Sequence, residues 1–196
     1  PLGHMVVDAN SKGEVRGYVS RPHVHLPLND KGKLDVGGAV GKNGLLQVTM
    51  DLGLKEPYHG SSPLVSGEIG DDFSYYFAQS EQTPSVVGVG VLVNPDGSVR
   101  ASGGYIVQLM PGVDDQFINR LEERLKEIPS VSQMVDRGTT PEEMITALFS
   151  DQPIRWLETM EVRYACTCSR ERVRSILTSL GEEELKQLIE EQGKAE

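Results

Sequence analysis

An α+β fold is predicted for this chain, on three observations. Runs of β-type residues broken by glycine-rich turns fill residues 1–112, helical apolar stripes replace them from 113 onward, and both cysteines fall in the last stretch, 163–196. The expected organisation is a β-rich core domain over 1–112 with one or more packed helices, a helical linker over 113–162, and a small thiol-bearing segment over 163–196.

The strand runs come first. Met5-Val6-Val7, Val15-Arg16-Gly17-Tyr18-Val19, Leu45 to Met50, Val86 to Val93 and Tyr105 to Met110 hold the β-branched and aromatic residues that suit a pleated, half-buried surface. Asn10-Ser11-Lys12-Gly13 and Asn94-Pro95-Asp96-Gly97 lie between such runs and read as hairpin turns. One helix interrupts the strands: Asp71-Asp72 opens it, Phe73, Tyr76, Phe77 and Ser80 share a face, and Pro84 lies beyond its end. An aromatic face at that spacing is core rather than a cofactor box. Gly88-Val89-Gly90 and Gly103-Gly104 read as strand and turn glycines, not as a phosphate cradle.

Beyond Gly112 the pattern is helical. Asp114 to Ile128 sets Ile118, Leu121, Leu125 and Ile128 on one stripe, and Pro129 stops it. Thr140-Pro141-Glu142-Glu143 is a capping box with proline at the first helical position, followed by Met144, Ile145, Leu148 and Phe149. Ser169 caps a further helix, Arg170 to Leu180, ended by Gly181, and a last one runs through Leu185, Leu188 and Ile189 to Gly193. These two are short and thinly apolar, so they need tertiary contacts or a metal to persist.

Composition narrows the function classes. A chain of 196 residues, 38% of them apolar, buries a real core. No apolar run approaches the roughly 18–20 residues a membrane span needs, and Pro1 to Asn10 has no basic start followed by an apolar stretch. The expected location is the cytoplasm, where thiols stay reduced until oxidant arrives. A net charge of −10 argues against nucleic acid as a partner, because phosphate binding draws on lysine and arginine clusters. Glu182-Glu183-Glu184, Glu190-Glu191 and Glu196 read as solvated helix faces. No spacing places Ser, His and Asp in a triad, so no enzyme is expected.

The chain's only cysteines are Cys166 and Cys168, in Tyr164-Ala165-Cys166-Thr167-Cys168-Ser169-Arg170-Glu171-Arg172. Such a pair reads as metal ligands or redox partners, against the plainer role of small core residues. Arg163, Arg170, Arg172 and Arg174 favour thiolate over thiol. Structural zinc takes four ligands, so the pair is at most half a site. His23 and His25 can share one face of an extended segment, where side chains alternate, and in principle complete it. Arg21-Pro22-His23-Val24-His25-Leu26-Pro27 reads equally well as a proline-bounded edge segment with solvated imidazoles. The other reading puts the missing ligands beyond Glu196.

These residues resemble the first half of the zinc-binding redox switch of the 33 kDa heat shock chaperone family. The cysteine motif, Leu180-Gly181-Glu182-Glu183-Glu184 and Ile189-Glu190-Glu191 carry that resemblance. Gly70-Asp71-Asp72-Phe73-Ser74-Tyr75-Tyr76-Phe77, Ser80-Glu81-Gln82-Thr83-Pro84, Gly103 to Pro111 and Leu157-Glu158-Thr159-Met160 extend it over nearly the whole chain. The family's later Cys-x-x-Cys is absent. Its N-terminal stretch is absent too, so Pro1-Leu2-Gly3-His4-Met5 is read as native sequence from inside the family domain and the chain as a fragment.

The resemblance implies an ATP-independent holdase regulated by oxidation. Four thiolates hold zinc when reduced, and Cys166 and Cys168 match the first pair. Oxidation forms disulfides, releases zinc, unfolds the switch and uncovers apolar surface for unfolding client proteins; active members form homodimers. Phe117, Ile118, Leu121, Leu125, Met144, Leu148, Phe149 and Trp156 are the candidate client-binding residues, each weighed against plain helix packing. Two other classes stand beside this one: a zinc-dependent binding module without chaperone activity, and a thiol-disulfide oxidoreductase, to which Cys-x-Cys is a poor match.

Overall fold

The computed structural model describes residues 1–30, 32–166 and 168–192, with Glu191 and Gln192 described by their backbone alone. Thr167, Gly193 and Glu196, which entered the reading above, lie outside the described residues. The chain divides into two compact units, Pro1–His4 with Val19–Leu157, and Met5–Tyr18 with Glu158–Glu196. Compactness and composition draw different lines. Residues 113–157 share a unit with the central strands, and residues 5–18 join the C-terminal segment.

The larger unit is built from α1 (Val36–Val40), β3 (Leu45–Met50), β4 (Tyr58–Pro63), α2 (Ile69–Ser80), β5 (Ser85–Val93), β6 (Val99–Gln108), α3 (Asp115–Glu127), α4 (Val131–Asp136) and α5 (Pro141–Leu148). β3 pairs antiparallel with β4, from Leu45 opposite Pro63 to Met50 opposite Tyr58. β5 pairs antiparallel with β6, from Ser85 opposite Gln108 to Val93 opposite Val99, with an irregularity at Leu92/Val93.

α2 begins two residues before the predicted Asp71. Asp72 is 2% exposed, and its carboxylate accepts from the N–H groups of Val65 (2.7 Å), Ser66 (3.0 Å) and Gly67 (3.1 Å). It therefore holds the β4–α2 loop against the helix, satisfying donors that a buried loop would otherwise orphan. One turn on, Tyr76 is fully buried and its hydroxyl donates to Glu81 Oε1 at 3.0 Å.

Leu121 of α3, Leu148 of α5 and Val107 of β6 form the buried cluster beneath the helices. Tyr105, Phe117, Leu125, Ile145 and Phe149 pack around it, with the Phe117 and Phe149 rings stacked at 6.2 Å. The predicted capping box is present, Thr140 and Glu143 exchanging reciprocal bonds at 3.2 and 2.8 Å, and Asp114 caps α3 by accepting from the Phe117 N–H at 2.8 Å. α4 was not anticipated, being short. A Cβ on Gly90 would collide with the Ser132 N–H, and one on Gly103 would lie 2.6 Å from Val135 Cγ1. Those glycines are the floor on which α4 lies.

The smaller unit holds β1 (Met5–Ala9), β2 (Glu14–Val19), β7 (Arg163–Tyr164), α6 (Arg170–Ser179) and α7 (Glu182–Gln192). Its sheet runs β1-β2-β7, and β7 lies parallel to β2 with Glu14 opposite Arg163 and Val15 opposite Tyr164. α6 buries no residue completely. Leu177 and Leu180, with Leu185 and Leu188 of α7, are only half-buried, as expected of helices with few apolar positions.

Candidate functional site

β7 is two residues long and exists because β2 offers it an edge. The Arg163 N–H donates to the Gly13 carbonyl at 2.9 Å, and the Ala165 N–H donates to the Val15 carbonyl at 3.0 Å. Cys166 and Cys168 follow at once, both free and exposed, so neither is the small core residue of the plainer reading. Ser169 then starts α6, its hydroxyl accepting from the Arg172 N–H at 3.1 Å.

The two sulfurs act on each other. The Cys168 thiol donates a hydrogen bond to the Cys166 sulfur and holds Cys166 below the ordinary thiol value, helped by a backbone bond from Cys168 and by the charge of Arg16. The same hydrogen bond, with the neighbouring negative charge, pushes Cys168 up, against a weaker pull from Arg16 and Arg172. Two thiols so arranged lose their protons in two steps, the second harder than the first.

The positive charge at the site comes only in part from where the sequence suggested. Of the four arginines named above, Arg172 acts on Cys168, whereas Arg163 is turned to Glu14 at 2.6 Å. Arg16, on β2, acts on both sulfurs, and Asp8 of β1 holds it at 2.6 Å. Glu14-x-Arg16 alternates along a strand, but nothing in the sequence signals that this strand meets a segment so far along the chain.

As metal ligands, two adjacent thiols fit half of a tetrahedral thiolate set. Among the described residues, no group of three or more His, Cys, Asp or Glu stands where it could hold a metal ion. His23 and His25 are both exposed, in a stretch that forms no strand.

The candidate client-binding residues fall into two groups. Leu121, Met144 and Leu148 are buried, and Phe117, Leu125 and Phe149 are partly covered against them. They are helix packing in this form. Ile118 lines a shallow apolar groove with Leu109, Met110 and Pro111, and Trp156 is 54% exposed. Other apolar residues are open as well, among them Val89, Val91 and Val93 of β5 and Ile106 of β6. Reading those runs only as strands gave no sign of which face would remain uncovered.

Comparison with known proteins agrees across methods. A family model described as Hsp33 protein matches residues 1–196. A 33 kDa chaperonin of Geobacillus kaustophilus is 58% identical over 196 residues, covering 100% of this chain and 67% of that protein. One of Bacillus subtilis is 53% identical with the same coverage, 100% and 67%. A crystal structure of a 33 kDa chaperonin (heat shock protein 33 homolog) of Thermotoga maritima superposes with a TM-score of 0.80 at 39% identity, covering 95% of this chain and 67% of that one. The chain thus spans about two thirds of the length of the relatives it matches.

Proposed function

The chain belongs to the Hsp33 family of chaperones, and on that premise we propose that it is an ATP-independent holdase switched on by oxidation of Cys166 and Cys168. One observation carries the redox part of this reading. The chain's two thiols are exposed, hydrogen-bonded to each other and set at the head of a segment whose first helix buries no residue fully.

In the reduced state Cys166 and Cys168 would be two of four thiolate ligands to zinc. Bound zinc supplies folding free energy to a segment that has little of its own. With hydrogen peroxide as oxidant, the Cys166 thiolate attacks one peroxide oxygen, the O–O bond breaks, and the departing hydroxide takes up a proton and leaves as water. The Cys168 sulfur then displaces the hydroxyl of the sulfenic acid as a second water and forms the S–S bond. Neither sulfur then carries the charge that binds metal, so the thin helices α6 and α7 lose what holds them.

Clients are unfolding proteins, taken up on apolar surface. We assign that surface to Val89, Val91, Val93 and Ile106, which are exposed already, and to Trp156. Phe117, Leu121, Leu125, Met144, Leu148 and Phe149 join it only if α3 and α5 lift from β6. No helix among the described residues is long and apolar enough to cross a membrane. The working place is the cytoplasm, and the active form is a homodimer; sedimentation of reduced and oxidised protein checks the latter.

The deciding experiment is light scattering of a heat-denatured client with the complete gene product. Suppression after peroxide, its loss on re-reduction with zinc, and suppression that no longer depends on peroxide in the Cys166→Ser, Cys168→Ser double variant, which lacks half the zinc ligands, are the expected results. Equal suppression by the reduced and oxidised forms, or none by either, overturns the reading.

A further inference from the structure

We propose that the β1–β2 hairpin is a clamp for the thiol-bearing segment, so that an N-terminal dock, and not the sulfurs alone, sets how readily the switch opens. This rests on the redox reading above and names a device that regulates it.

Three observations lie behind it. β7 has only two residues and its sole neighbour in the sheet is β2. A strand that short does not persist without a partner edge. The Ala165 N–H, next to Cys166 in the chain, is held by the Val15 carbonyl. An ion pair reinforces the backbone pairing, with Arg163 Nη2 2.6 Å from Glu14 Oε1. Asn10 also donates to that carboxylate at 2.8 Å, fixing it from the turn side.

The turn itself is the third. Asn10 to Gly13 and Asn94 to Gly97 are built alike. In each, the glycine N–H returns to the asparagine carbonyl (3.2 and 2.9 Å) and the asparagine N–H donates to the residue after the glycine (3.0 and 2.8 Å). Both glycines have positive φ, 74° and 85°. Turn tips are ordinarily open, and Gly97 is exposed with nothing within 4 Å of its Cβ position. Gly13 is buried, and a Cβ there would collide with the Glu161 carbonyl and lie 3.1 Å from Met160 Sδ. The first turn is shaped to receive the backbone that leads into β7; the second receives nothing.

That contrast supplies the test. Gly13→Ala and Gly97→Ala place alanine at the same unfavourable φ, but only the first meets Glu161. In the complete, reduced, zinc-loaded protein, Gly13→Ala is expected to speed amide exchange at Arg163 and Ala165 by roughly an order of magnitude. It is also expected to give aggregation suppression without peroxide, while Gly97→Ala does neither. Glu14→Arg is expected to behave as Gly13→Ala does, and adding Arg163→Glu to restore the parent's behaviour. Unchanged exchange at Ala165 in Gly13→Ala overturns the clamp. So does faster exchange with no activity under reducing conditions, or activity in both glycine variants alike. Failure of the oxidised parent to suppress aggregation sinks the holdase reading instead, and the exchange comparison still decides the clamp.

Discussion

At the scale of single residues, Asp72 and Cys166 show how position changes what a side chain does. Asp72 lies in the first turn of α2 but serves the loop before it, accepting three backbone N–H bonds while almost wholly buried. Replacing it with alanine strands donors that water reaches poorly. Asp72→Ala is therefore expected to cost about 2–4 kcal/mol, read as a lower urea midpoint at unchanged slope. Cys166 is held below the ordinary thiol value by the Cys168 thiol, and Cys168 is held above it. Only thiolate alkylates, so reactivity rises as pH climbs through each value, and Cys166 rises first. In metal-free reduced protein, iodoacetamide at neutral pH is expected to label Cys166 ahead of Cys168, as counted by peptide mass spectrometry.

At the scale of elements, caps and packing carry unequal weight. α5 has a complete capping box, yet Thr140 and Glu143 sit at the exposed end of a helix whose other side buries Met144 and Leu148. Thr140→Ala is expected to cost about 1 kcal/mol. Leu148→Ala, which opens a cavity beneath α3 and β6, is expected to cost about 2–5 kcal/mol. Thermal unfolding of the two variants checks the order. The caps at Thr140 and Ser169 were legible in the sequence because a cap is a local exchange between a side chain and an N–H three residues on. β4 and α4 were not. Tyr58-His59-Gly60-Ser61-Ser62-Pro63 lacks strand composition and is extended because β3 pairs with it along its whole length. α4 is six residues resting on glycines from two other strands.

At the scale of the whole molecule, the two units differ in how they are held. The larger has a buried apolar cluster joining two helices to a sheet. In the smaller, the hairpin strand β1 is exposed throughout and α6 buries nothing completely. Peroxide with a zinc chelator is therefore expected to abolish amide protection in α6 and α7 while Val107 and Leu121 stay protected, measured by hydrogen exchange on one sample. Simultaneous loss in both units would show a single cooperative fold in place of a separable switch.

The sequence by itself determined the α+β class, both hairpin turns, the capped helices, the thiol pair and the family, since each is written in residues close together or in motifs in fixed order. Tertiary structure alone decided that residues 5–18 join the C-terminal segment, that Arg16 is the arginine acting on both sulfurs, and which apolar residues stay covered. Those facts depend on which edge of β2 a segment some 149 residues away comes to occupy, and on which faces the helices shield. Long-range pairing of that kind leaves no local spacing behind; it is set by the free energy of the assembled chain.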